Sequence, residues 1–277
     1  MIVIFFFICV ILIVTGTSSI NYASNTFPKY GAVFYNMKYH DNEGNIMSML
    51  GEHVYAAWSA LRSDGWAFPP SAPSNDNMFH GADDCPYTVS DYQITADAFT
   101  PSSSYSYSVT HERTSANEPR IDAFVFVYKA GHGRYDAGKD KGYIVLSYGN
   151  PVYPPDFPNG FSHYLKFYWN DGCYGNWGWF WALLKGHLVW GYKTTVSGDQ
   201  SRVVKFFEYA FDESRTVKIS FMDATVETLD TPDNSITPFI SGRTIDQLDN
   251  DHMPGHGYIA DDSDPTSNEA YIITWNT

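Results

Sequence analysis

Basic residues and cysteines are both scarce in this chain. Only 17 Lys and Arg stand against 31 Asp and Glu, giving a formal net charge of −14 over 277 residues. Nucleic-acid readers neutralise phosphates with clustered cations, so that balance argues against DNA or RNA as a partner, and anionic membranes are disfavoured for the same reason. No internal repeat is visible, and no Gly/Ser-rich or Pro-rich linker divides the chain, so a solenoid or a pair of tethered domains is not indicated. The acidic stretches do not have the alternating ligands and terminal Glu of a calcium loop. Asp136 with Asp140, Asp249 with Asp251, and Asp261, Asp262 and Asp264 therefore read as solvated acidic loops, and no metal or cofactor is indicated.

The three cysteines are Cys9, Cys85 and Cys173. Residues 2–14 are an unbroken apolar run, too short to span a bilayer comfortably, and the small residues Thr15, Gly16, Thr17, Ser18 and Ser19 follow it. The expectation is a signal peptide over 1–19, with an uncleaved anchor as the alternative, and a single exported domain over 20–277, secreted or at the cell surface. Cleavage removes Cys9. The two survivors then sit in an oxidising compartment, where a Cys85–Cys173 disulfide is the ordinary expectation.

At 44% hydrophobic and 17% aromatic residues, the chain has ample material for a core. A short strand is expected from Gly31, followed by a helix over 46–62, where Met49, Val54, Ala57, Trp58 and Leu61 recur at three and four and Gly65 ends the run. Residues 69–120 are rich in Pro, Ser, Asn and Asp and read as long loops with a short strand or hairpin. Strands are expected over 121–129, 142–148, 164–169 and 187–196, an apolar helix over 177–186 that Asn176 would cap, a helical region over 201–229 broken near Asp212, and a last strand over 270–275. The first of these strands is continuously apolar, as when both faces of a sheet are covered. Together they predict one α/β domain, a mainly parallel sheet flanked by helices in a three-layer sandwich.

Ligands of open parallel sheets bind beyond the carboxyl ends of strands. His132 stands there, between Gly131 and Gly133 after AFVFVYKA. His256, in the second Gly-His-Gly, follows a polar loop and does not. Cys173 stands just past the third strand, in Asn170-Asp-Gly-Cys-Tyr-Gly175, ahead of the expected helix. Glycines beside an imidazole let backbone amides approach a substrate carbonyl, and a thiol near a helix N-terminus and an imidazole gains thiolate character. The pair suits nucleophilic attack on an amide. The tryptophans of 177–181 read as core residues at helical spacing, with sugar stacking as the alternative.

An apolar strand ending in His-Gly, then one ending in small-Cys-x-Gly, resembles the core of caspase-like cysteine peptidases, which include legumains, gingipains and clostripain. The matching residues are His132-Gly133 and Gly172-Cys173-Tyr174-Gly175, with 41 positions (173 − 132) between histidine and cysteine. The chain is also similar to exported microbial proteins with a GHG strand end, a later Cys and a Leu-x-x-Gly-aromatic stretch, here Leu188-Val-Trp-Gly-Tyr192. The resemblance implies Cys173 as nucleophile, His132 as polarising or general-base group, the amides of Gly133 and Cys173 as oxyanion hole, and a peptide or protein as substrate. Asp171-Gly172 replaces the Gln-Ala that precedes the caspase cysteine, and an adjacent carboxylate raises a thiol's pKa unless it points away. The competing expectation is a non-catalytic secreted or surface binding protein on the same scaffold, with Cys85 and Cys173 bonded.

Overall fold

A computed structural model of the full chain describes residues 27, 29, 31–36, 48–67, 88–89, 121, 124–145, 151–155, 160–161, 164–174, 177–183, 185–196, 200–229, 236–262 and 269–277. The expected signal segment, Cys85 and most of 69–120 lie outside these residues. Among the described residues no helix is long and apolar enough to cross a membrane.

The fold is mixed α/β around one seven-stranded, mostly parallel sheet. In chain order the elements are β1 (Gly31–Asn36), α1 (Ser48–Ser63), β2 (Thr88–Val89), β3 (Phe126–Gly131), β4 (Gly133–Asp136), β5 (Lys141–Ile144), β6 (Phe167–Asp171), β7 (Leu188–Tyr192), α2 (Ser201–Phe207), α3 (Val217–Thr228), β8 (Pro238–Gly242), α4 (Ile245–Asn250) and β9 (Tyr271–Thr274). The sheet order is β2-β1-β3-β6-β7-β8-β9; β2 through β7 run parallel, and β8 and β9 are antiparallel. Strands β4 and β5 form a separate hairpin.

Every residue of β3, β6, β7 and β8 is buried, because both sheet faces are covered. One face meets helices. The stripe Val54, Ala57, Trp58 and Leu61 of α1, Val203, Phe206 and Phe207 of α2, and Phe221 and Ala224 of α3 pack on Phe126, Tyr128, Trp169 and Trp190. Trp169 is the hub of that layer, with ring centroids 4.7 Å from Phe206, 5.0 Å from Tyr128 and 5.7 Å from Phe221. Gly65, at φ 81°, ends the α1 run as expected.

The other face departs from expectation. In place of an apolar helix over 177–186, the chain makes a four-residue 3₁₀ turn, Trp179–Ala182. Gly178 enters it at φ 92°, and the Ala182 carbonyl accepts from Phe161 N–H rather than from a next helical turn. This turn, with Ile121, Ile144, Val152 and Phe161, covers Val127, Tyr168 and Val189. Trp179 is fully buried, so the core assignment holds for it. The strand expected over 142–148 is shorter and belongs to the β4–β5 hairpin, outside the main sheet. The break near Asp212 is a π-helical turn, Glu208–Asp212, between α2 and α3.

The acidic tail is not wholly solvated, which corrects the sequence expectation. Asp251 is buried and accepts from His187 Nδ1 at 2.7 Å and from the Ala260 amide at 2.7 Å. Asp262, half-exposed, meets His187 Nε2 at 3.2 Å and both oxygens lie 2.8 Å from Lys166 Nζ. Burial alone would lower the His187 imidazole, but the two carboxylates raise it above its ordinary value. Asp262 is held down at about 2; burial opposes this, and His187 and Lys166 overcome it.

A histidine raised on folding binds its proton more tightly in the native state, so its contribution is complete below its unfolded value of about 6.5 and is lost as pH rises through the higher folded value. Urea unfolding between pH 6 and 9 is expected to show this alkaline loss, and His187→Gln is expected to flatten it. An unchanged slope in the variant contradicts the assignment.

Candidate functional site

The site is built by the pairing of β3 with β6. Their register runs from Phe126 opposite Phe167 to Ala130 opposite Asp171, a constant offset of 41. The pairing ends there, two residues short of His132 on one chain segment and of Cys173 on the other, and past Asp171 the chain turns, with the Gly172 N–H donating to the Asn170 carbonyl. The strand ends approach very closely here, since a Cβ built on Gly172 would lie 2.3 Å from the Gly131 carbonyl oxygen. Gly131 itself takes φ 144°. Gly172 is thus required by backbone proximity and Gly131 by its positive φ, which answers why small residues stand at these two strand ends.

Beyond Gly131 the chain turns into the hairpin. The Val145 N–H donates to the His132 carbonyl, so Gly133 and Ile144 form a non-hydrogen-bonded pair and the Gly133 N–H points away from β5. His132 is partly buried. Burial, then the Lys129 and Arg134 charges, lower its pKa, which favours the neutral imidazole that a base requires. Lys129 is fully buried; its Nζ lies 3.4 Å from the His132 carbonyl oxygen and 3.2 Å from where a Gly172 Cβ would be. Its register partner Asn170 is buried on the same sheet face.

Cys173 is half-buried, and among the described residues its thiol is free. Its Sγ accepts from the Val196 N–H at 3.4 Å and donates to the Val196 carbonyl at 3.7 Å, which draws the sulfur toward the chain leaving β7. The disulfide partner expected from sequence, Cys85, lies outside the described residues. With the 177–186 helix replaced by a 3₁₀ turn, the helix-dipole contribution expected at Cys173 is withdrawn. The next residue, Tyr174, holds φ 50° and donates its N–H to Thr194.

Asp171, the neighbour that threatened the thiol, points into the helical layer. Its Oδ1 accepts from Arg202 at 2.9 Å; its Oδ2 accepts from the Tyr128 hydroxyl at 2.7 Å and meets His53 Nδ1 at 3.1 Å, all buried. Burial alone would raise this carboxyl, but the Arg202 guanidinium, with His53 and Tyr128, holds it well below the usual carboxylate range. No local sequence signal marks the clamp, because its members come from α1, β3, β6 and α2. His256 is structural: its Nε2 meets Asp64 at 2.9 Å, and its ring stacks on Phe211 at 4.7 Å. Among the described residues no group of three or more His, Cys, Asp or Glu is arranged to hold a metal ion. No protein-family model, curated protein or solved structure matches the chain.

Two substitutions test this geometry. Arg202→Met strands the Asp171 charge in the core and is expected to cost about 3–5 kcal/mol in urea unfolding, most of it recovered by adding Asp171→Asn; a loss below about 1 kcal/mol contradicts the clamp. Lys129→Met is expected to raise the His132 pKa, followed by NMR titration of its ring. No rise would show that the ammonium does not act on His132.

Proposed function

We propose that the protein is an exported caspase-like thiol hydrolase that cleaves a peptide or amide bond with Cys173 as nucleophile and His132 as base. The observation that carries this is the shared register of two adjacent parallel strands, which ends at Ala130 opposite Asp171, two residues before His132 and before Cys173. Support also comes from the strand arrangement, a central parallel set with the histidine strand beside the cysteine strand.

In the reaction His132 takes the thiol proton and the Cys173 sulfur attacks the carbonyl carbon. The oxyanion is received by N–H groups of Gly133 and Cys173; the outward turn of the Gly133 N–H suits that role. His132 returns the proton to the departing amine, leaving a thioester on Cys173. Water, deprotonated by His132, then attacks the thioester carbonyl, the acid leaves and the thiol is restored. The clamp on Asp171 matters here because Arg202 compensates the one carboxylate adjacent to the nucleophile.

The sulfur leans toward Val196 in this structure, so substrate entry has to exchange the Val196 contacts for the imidazole. Such tightening on substrate binding is common at catalytic hydrogen bonds.

Alkylation of Cys173 by iodoacetamide at neutral pH, followed peptide by peptide in the mass spectrometer, is expected to slow at least tenfold in His132→Ala. Equal rates in the two proteins would remove the histidine from the site.

A further inference from the structure

Beside Cys173 the hairpin tip and the following turn meet in an aromatic patch for which the reaction above has no use. The Tyr135 ring, 43% exposed, lies 6.1 Å from the Tyr174 ring. Its hydroxyl donates to Asp140 Oδ1, and the Trp177 indole N–H donates to the same oxygen at 3.1 Å. None of the three rings belongs to either apolar core.

The backbone beneath them is strained. Among the described residues three non-glycines hold positive φ, and two are here: Asp140 at 51° and Tyr174 at 50°. For a bulky residue such as Tyr that conformation costs about 1–2 kcal/mol, and it persists where the surroundings enforce it, often at ligand sites. The enforcing contact is visible. Gly142 of β5 donates its N–H to the Trp177 carbonyl at 2.8 Å, and a Cβ on Gly142 would lie 1.8 Å from the Tyr174 carbonyl oxygen. The hairpin therefore presses directly on the Cys173–Tyr174 turn.

The charges around the patch are already engaged with one another. Asp140 is taken by Tyr135 and Trp177, which hold its carboxyl below the ordinary range. Asp136 accepts from the Tyr153 hydroxyl and from the Gly138 and Lys139 amides. Lys193 Nζ sits 4.5 Å above the Trp177 ring, and Lys139 Nζ 3.5 Å above that of Tyr153. What the patch offers a ligand is ring surface rather than charge, and rings fixed in advance bind with little ordering cost.

We propose that Tyr135 and Tyr174 form a subsite for an aromatic side chain of the substrate next to the scissile bond, which makes them specificity-determining residues. The proposal rests on the thiol-hydrolase function above and narrows its substrates to peptides with Phe, Tyr or Trp at that position. Trp177 and Asp140 hold the subsite in shape without touching the substrate backbone.

Binding can be separated from chemistry in the full chain carrying Cys173→Ala. N-acetyl-phenylalaninamide is expected to shift the Tyr135 and Tyr174 ring resonances saturably, N-acetyl-glycinamide to leave them unmoved, and Tyr135→Ala to weaken the binding at least tenfold. Asp140→Asn, which keeps the fold should Tyr135→Ala lose it, is expected to weaken binding severalfold. Indifference to the phenyl ring, or binding that survives both variants, overturns the proposal. Neither result depends on turnover. A failed hydrolase function would instead appear as Cys173 alkylation that ignores His132, so the two failures are distinguishable.

Discussion

The molecule depends on one backbone pairing, that of β3 with β6, held so close at its end that the Gly131 carbonyl and Gly172 leave no room for a side chain between them. Because side chains alternate along a strand, this register sends Phe126, Tyr128, Trp169 and Asp171 to the helical layer and Val127, Lys129, Tyr168 and Asn170 to the other. A slip of either strand by one residue would exchange that strand's two faces. Slipping β6 would put Asp171 among Ile144, Val152 and Phe161, with no guanidinium in reach, and slipping β3 would carry Lys129 into the aromatic layer around Trp169. The buried ionic groups therefore specify register as much as they stabilise it.

Much of this was legible in sequence because it is local. The α1 stripe, the break near Asp212 and the apolar strands that became β3, β6 and β7 are periodicity and composition, which a window of a dozen residues carries. The offset of 41 between His132 and Cys173 likewise reappears as the β3–β6 register. The rest was carried by contacts distant in sequence. An apolar run rich in tryptophan, such as 177–183, looks like a buried helix, yet Gly178 in a left-handed conformation and the bridge to Phe161 make it a turn. Strand β8 and helix α4 were hidden in a tail that composition marks as loop, although Thr244 and Gln247 form a capping box there. The side-chain partners of Asp171 lie 31 to 118 residues away and that of Asp251 lies 64 away, beyond any local signal.

The charge balance also reads differently once the fold is known. The acidic stretch at Asp249 to Asp251 reads as a solvated loop, but Asp251 is inside, as is Asp171, and each accepts from donors on other elements. One buried carboxylate ties α1 and α2 to the strand that carries Cys173; the other fastens the tail to the opposite end of β7. Such pairs add modest net stability because desolvation offsets their attraction, while leaving either partner alone is costly. Their effect is to forbid alternative packings of the helices and the tail.

The central claim is that His132 and Cys173 face one cleft and act together. Treatment of the folded protein with 1,3-dichloroacetone tests it most directly, since this three-carbon reagent loses two chlorides only when a thiol and an imidazole lie within its span. The account predicts a single bridged product whose digest joins the peptides of Cys173 and His132. Cys173 carrying only the monochloro adduct, with His132 unmodified, would contradict it.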